Sequence, residues 1–178
     1  MVDISDSKPT PQPLGGELVR VIELLAEQGV DFVVCGGIAC ILQGVERTTQ
    51  DVDLYVRLET ENLRPLVEVL RLMDLQSRIP EPIESILDPA RRRAWQEQKQ
   101  AKVISFRSLS GPLHVDVFLD YPIDYDDLSR EADWCSVRGQ RFKISSKRHL
   151  LLAKMSIEEP RKHDRRDIED LRELLGES

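Results

Sequence analysis

Asp51 and Asp53 stand two residues apart in DVDLYV, a run in which acidic and apolar side chains alternate. On an extended strand that period sends both carboxylates out of the same face, within a few ångströms of each other. Like charges so placed repel, and the pair requires either a cation or a well-solvated strand end. Hard oxygen donors of this kind suit Mg²⁺ or Mn²⁺, whereas a wet edge strand is the plainer alternative. Thirteen residues before Asp51, the apolar run DFVVC stops at Gly36-Gly37 and gives way to IACILQG. Glycines at such a turn let a phosphate approach, and backbone N–H groups at a helix start can hold anionic oxygens. A plain turn would need the same residues. Asp116 is a third carboxylate, flanked by Val115 and Val117 in LHVDVFLD. If its strand lies beside residues 51–56, it can share a cation with the pair and take a proton from an attacking hydroxyl. Asp120 has the same parity and competes for the role, either as a supporting group or as a solvated strand end.

These residues need particular elements to position them. Leu18, Val21, Ile22 and Leu25 recur at three-and-four spacing before Gly29, the pattern of an amphipathic helix with glycine just past its end. DFVVC, residues 31–35, reads as a strand, and the turn at Gly36-Gly37 leads into a brief apolar helix. A second strand follows over residues 51–56. Thr60 or Asn62 can cap a helix running to about Met73, with Pro65 expected in its first turn. Residues 76–88, with Pro80 and Pro82, read as irregular, and DPARRRAWQEQKQ resumes helical composition. KVISF and LHVDVFLD form an antiparallel pair across a Ser-Gly-Pro turn, and VRGQRFKIS a small hairpin around Gly139-Gln140. Helices over about 147–157 and 161–175, broken by Pro160, close the chain. The order predicts an α+β protein, a mixed sheet with its helices grouped on one side. Residues 1–16, rich in proline and glycine, are expected to form a loose arm, with residues 17–178 as a single domain.

Composition narrows the function. The 32 acidic residues against 25 basic ones give a net charge of -7, which opposes broad adhesion to nucleic acid while allowing a local basic patch. Cys35, Cys40 and Cys135 lack C-x-x-C spacing and fit neither a disulfide framework nor a zinc knuckle, so a reducing cytoplasm is the expected setting. No basic segment precedes an apolar run at the N-terminus, and no run reaches membrane-spanning length, so no membrane association is expected.

VVCGGIAC, GVERTTQDVDLYV and HVDVF together resemble the nucleotidyltransferase fold of the polymerase-beta-like superfamily. Its pattern is an apolar residue, Gly-Gly or Gly-Ser, a spacer, Asp-x-Asp and later a lone acid between apolar residues. All three parts are intact over roughly residues 30–120. Gly44, Arg47, Thr49, Asp51, Asp53 and Leu54 spell a form similar to a small bacterial branch that includes AbiEii-like toxins and lincosamide-type antibiotic nucleotidyltransferases. Gly37 replaces the serine that many members use to touch phosphate. Lys154 followed by Arg161, Asp164, Asp167 and Ile168 is similar to the ending of that branch.

The resemblance implies a metal-dependent transfer of a nucleoside monophosphate from an NTP, ATP among them, to an acceptor hydroxyl. Asp51, Asp53 and Asp116 would be the catalytic and metal-binding residues, with Mg²⁺ or Mn²⁺ as cofactor. Gly36, Gly37, Arg47, Thr49 and Lys154 would bind the nucleotide. The acceptor is left open among tRNA, a protein and a small molecule, and the toxin-type relatives imply a partner protein from an adjacent gene. The alternative is a module of the same fold that binds a nucleotide without turning it over.

Several positions have plainer readings. Arg47 could instead pair with Glu46 or Asp51, Lys154 could extend its head to water, and Asp164 and Asp167 are explained by salt bridges at helical spacing. Arg91, Arg92 and Arg93 with Lys99 and Lys102 form either an RNA-facing patch or a solvated helix face. The helical C-terminus, the region 91–102 or a second subunit is expected to wall the acceptor site. His114, His149 and His163 have no metal-ligand spacing, and Trp95 and Trp134 are either core or base-stacking groups.

Overall fold

The computed structural model describes residues 2–3 and 15–177. Its elements in chain order are strand β1 (Val2–Asp3), helix α1 (Gly16–Glu27), β2 (Phe32–Cys35), α2 (Gly36–Leu42), β3 (Asp51–Val56), α3 (Thr60–Leu72) and β4 (Leu75–Ser77). A 3-10 turn (Ile83–Leu87) leads to α4 (Pro89–Lys99), β5 (Val103–Ser108), β6 (His114–Phe118), α5 (Tyr125–Arg130), β7 (Asp133–Val137), β8 (Gln140–Ile144), α6 (Lys147–Met155) and α7 (Lys162–Leu175). The strands form one sheet in the order β1-β7-β8-β2-β3-β6-β5-β4. Its centre is mixed: β2 and β3 run antiparallel, while β3 and β6 run parallel.

Alternation along the strands decides the two faces. Val34, Val52, Leu54, Ile104, Phe106, Val115, Val117, Phe142 and Ile144 are buried in the main core, with apolar residues of α1, α2, α3, α4, α6 and α7 packed against them. Val33 and Cys35 point the other way, joining Tyr125 and Leu128 of α5 in a small second cluster ringed by Tyr55, Phe118 and Tyr121. The helices are thus grouped on one face, with short α5 alone over the other. The face it leaves bare beyond β3 carries Asp51, Asp53 and Asp116.

The sequence reading and the structure part at a few places. Pro65 falls at the sixth residue of α3 instead of the first turn. Pro65 is half-buried, and the buried face of Leu63, Leu66, Val67 and Leu70 holds the helix despite the missing N–H. Asn62 does not cap α3, for its amide ties back to Asp31 and Arg57. The hairpin turn is at Arg138-Gly139, one residue earlier than expected, both with the positive φ that a tight two-residue turn needs. The segment 76–88 includes most of β4 and the 3-10 turn instead of being wholly irregular, because Leu75 and Ile86 anchor it in the core. Short α5 was not foreseen in DYDDLSR; Asp124 caps it by accepting from the Asp126 N–H. Of the arm over residues 1–16, residues 1 and 4–14 lie outside the described residues, Val2–Asp3 pair parallel to β7, and Gly16 already begins α1.

Candidate active site

The parallel pairing of β3 and β6 sets Asp53 opposite Asp116 and Asp51 opposite His114. Adjacent strands lie about 4.8 Å apart, so Asp116, remote in sequence, joins Asp51 and Asp53 on one sheet face. Cys35 is the partner of Asp53 on the other side, which brings the end of β2, and the Gly36-Gly37 start of α2, against the Asp53 side chain. The Gly37 N–H donates to Asp53 Oδ2 at 3.3 Å.

Both glycines are required by this closeness. Gly36 has φ +55, and a Cβ there would stand 2.0 Å from Asp53 Oδ2. A Cβ on Gly37 would come within 2.8 Å of Thr49 Oγ1 and 3.1 Å of Arg47 Nη2, so a serine at this position would displace the loop that precedes β3. Thr49 itself is bound locally, its Oγ1 accepting from the Asp51 N–H at 3.3 Å.

A cavity of about 720 Å³ opens over the carboxylates. Gly36, Gly37, Arg47, Thr49, Asp51, Asp53, Asp116 and Lys154 all line it, so every site residue read from the sequence converges on one space. Asp120 lines it too, beyond the end of β6, whereas Asp116 is the acid in register with Asp53. Of the three candidate walls, the C-terminal helices and their linker supply Leu150, Ser156 to Glu159, Arg161, His163 and Asp164, and the region 91–102 supplies only Lys102.

Burial and the charge of Asp116 push the Asp53 carboxyl up to about 6, the Gly37 N–H opposing them and Asp51 adding to them. Lys154 also opposes the rise, but burial and the two neighbouring acids outweigh it. The donor chemistry suits a hard divalent cation, although among the described residues no three ligating side chains close into a finished cage.

Arg47 and Lys154 do not stand free. Arg47 Nη1 pairs with Asp167 Oδ2 at 2.5 Å, and Lys154 Nζ lies 2.6 Å from Asp164 Oδ1 and 2.9 Å from Asp167 Oδ2. The partner of Arg47 is therefore neither Glu46 nor Asp51 but an aspartate 120 positions away. Asp164 also accepts from the Arg161 N–H, capping α7. Burial pulls the Lys154 pKa down, but its hydrogen bonds to Asp164 and Asp167 outweigh this and hold it above the ordinary lysine value. Two cations and two anions cancel, so the network fastens α6 and α7 to the loop before β3.

The remaining candidates resolve plainly. Arg92 is buried and donates to the carbonyls of Ile86 and Leu58, and Lys99 faces Glu81, so α4 is a structural helix on that side. Trp95 is core, its indole N–H on Glu81; Trp134 is exposed and covered by the Arg141 guanidinium at 4.4 Å. Burial pushes the Cys35 and Cys40 thiols up to about 12, which makes both inert. His114, set aside in the sequence for want of metal-ligand spacing, stands beside the carboxylates, its Nδ1 3.7 Å from Asp51 Oδ1. Sequence reasoning passed over Tyr121, Glu158 and Glu159 in the cavity wall; only register and tertiary packing reveal them.

Residues 16–71, which span β2, the glycine turn, β3 and most of α3, match a family described as a nucleotidyl transferase of unknown function. Among solved structures, the lincosamide antibiotic adenylyltransferase LnuA, lincomycin-bound, superposes with a TM-score of 0.59 at 12% identity, covering 90% of this chain and 98% of that one. A search of curated proteins finds no match. The chain has the nucleotidyltransferase fold, and the part matched by the family holds the glycine turn and the Asp51-x-Asp53 strand. No helix among the described residues is long and apolar enough to cross a membrane.

Proposed function

We propose that the chain is a divalent-metal-dependent nucleotidyltransferase that moves a nucleoside monophosphate from an NTP to an acceptor hydroxyl and releases pyrophosphate. The observation that carries this reading is the β3–β6 register, which sets Asp116 beside Asp53 at the Gly36-Gly37 turn, within one cavity. Asp51, Asp53 and Asp116 would hold Mg²⁺ or Mn²⁺, which when bound neutralises charge on the transferring phosphoryl group and acidifies the acceptor hydroxyl. Asp116 orients that hydroxyl and accepts its proton as it attacks the α-phosphorus in line, breaking the bond to the departing pyrophosphate. The glycine turn gives the triphosphate a backbone surface that any side chain would obstruct. Lys154, kept cationic by its two aspartates, stands at the cavity wall within hydrogen-bonding reach of those acids, while Arg47 and Thr49 shape the loop facing Gly37.

Thermal shift with each of the four NTPs, with and without Mg²⁺ or Mn²⁺, tests the donor site. The wild type should be stabilised by a nucleotide only when metal is present, and Asp51→Ala/Asp53→Ala should lose the effect. Pyrophosphate release that persists in Asp53→Ala would overturn the assignment. The similarity to toxin-type relatives extends the proposal to a two-gene defence system, for which co-purification with the product of an adjacent gene is the test.

A further inference from the structure

Spacing along the chain sets His114 aside as a ligand, yet strand pairing brings it to the carboxylates from the side. Asp51 and Asp53 leave β3 on the face that His114 and Asp116 share on β6, and the register pairs Asp51 with His114 and Asp53 with Asp116. Four donors thus mark the corners of a rectangle about 4.8 Å across the strands and 6.6 Å along them. One short side is all oxygen; the other pairs a carboxylate with an imidazole. Two-metal sites hold their ions about 3.5–4 Å apart, so a rectangle of this length has room for one ion toward each short side.

The mixed side is the one with donors to spare. Asp51 and His114 are half-exposed, at 52% and 41%, and His114 Nδ1 lies 3.7 Å from Asp51 Oδ1. That is beyond hydrogen-bond length, and among the described residues neither side chain has another hydrogen bond or ion pair. An exposed ion pair so loose contributes little to the fold. Nitrogen and oxygen donors bound to one ion at about 2.0–2.2 Å stand roughly 3–3.6 Å apart, so a slight turn of the ring seats both on one cation. His163 offers the contrast. It lines the cavity and its Nε2 lies 3.6 Å from Asp164 Oδ1, but Lys154 Nζ already holds that oxygen at 2.6 Å. Of the two pairs, Asp51–His114 alone leaves its carboxylate open to a metal.

Resting on the nucleotidyltransferase reading above, we propose that His114 is a further metal ligand, sharing one cation with Asp51 and making that position select a divalent transition ion over Mg²⁺. Mg²⁺ requires near-octahedral oxygens and sheds water reluctantly. Imidazole suits the first-row transition ions instead, whose affinity climbs from Mn²⁺ through Co²⁺ to Ni²⁺. Two protein donors leave the remaining positions on the ion to water and phosphate oxygens. The Asp53–Asp116 side, all oxygen, keeps the preference for a hard cation.

The test is electron spin-echo spectroscopy of Mn²⁺ bound to the full chain, alone and with tripolyphosphate, which carries no nitrogen. The wild type should show the nitrogen coupling of a directly bound imidazole, His114→Ala should lose it, and His163→Ala should keep it. Calorimetric titrations with Co²⁺ and with Mg²⁺ should show the Co²⁺ preference falling about tenfold or more in His114→Ala. Mn²⁺ that fails to bind the wild type, or binds it without the coupling, would overturn the proposal. So would coupling that survives in His114→Ala or is lost equally in His163→Ala, and so would a Co²⁺ preference that His114→Ala leaves unchanged. A Mg²⁺-dependent NTP shift that persists beside such a failure leaves the transfer reading standing. Nitrogen-coupled Mn²⁺ on a chain that neither responds to an NTP nor releases pyrophosphate removes that reading alone.

Discussion

Asp53 should make the metal-free protein less stable than it need be. Its carboxyl titrates at about 6 in the folded chain, against 3.8 for the unperturbed group, because it is buried and faces Asp116. Near pH 7.5 the folded state holds it ionised at a penalty, relative to the unfolded chain, of roughly 3 kcal/mol at most. Asn has nearly the same shape, lacks the charge and keeps an oxygen for the Gly37 N–H. Asp53→Asn should therefore raise the melting temperature in EDTA by several degrees, about 2–4 °C for each kcal/mol recovered. A raised carboxyl pKa withdraws stability as pH climbs from the unfolded to the folded value. The gap between variant and wild type should thus be absent below about pH 4, open between about 4 and 6, and stay constant above. Excess Mg²⁺ should narrow it by stabilising the wild type alone. Calorimetry across that pH range in EDTA decides the matter: a variant that melts lower at pH 7.5, or a gap that does not change with pH, would refute the reasoning.

Gly36→Ala combines a positive φ with a Cβ 2.0 Å from Asp53 Oδ2, and should cost about 1–3 kcal/mol in urea unfolding while abolishing the metal-dependent NTP shift. Asp167→Asn leaves Arg47 and half of Lys154 uncompensated in a buried site and should destabilise by roughly 3–5 kcal/mol by the same measure; Arg47→Met/Asp167→Leu should recover part of that loss. With thiols near 12, Cys35 and Cys40 should resist iodoacetamide at pH 8 in the native protein, as followed by mass spectrometry, and react once urea unfolds it.

Much of the site is local in sequence. Gly36-Gly37 and Asp51-x-Asp53 lie close along the chain, and period-two alternation alone puts the two acids on one face. Asp116 was legible as a charge out of place between valines, but its pairing with Asp53 is a matter of strand order, which a single sequence does not spell. The same limit hid the partners of Arg47: charges at i+3 or i+4 can be read along a helix, whereas Asp167 reaches Arg47 only because α7 folds back across the sheet. Long amphipathic helices such as α1 and α7 were legible from their spacing. The short β4 and α5 were not, since three to six residues hold too few periods to rise above composition and tertiary packing decides them.

The β3–β6 alignment also bears on when the protein becomes competent. Asp53 and Asp116 stand 63 positions apart, and a parallel pair forms only after the whole excursion through α3, β4, α4 and β5 has closed. Pairing of such high sequence separation comes late, since loop-closure entropy is lost before the contact returns anything. Asp167 and Lys154, which tie down Arg47, belong to α7 and α6 and follow β6 in the chain, so the loop before β3 is fastened only after the strands that gather the carboxylates have been made. A chain cut between β6 and α7 would keep the glycine turn and all three aspartates while the loop that carries Arg47 and Thr49 loses its anchor.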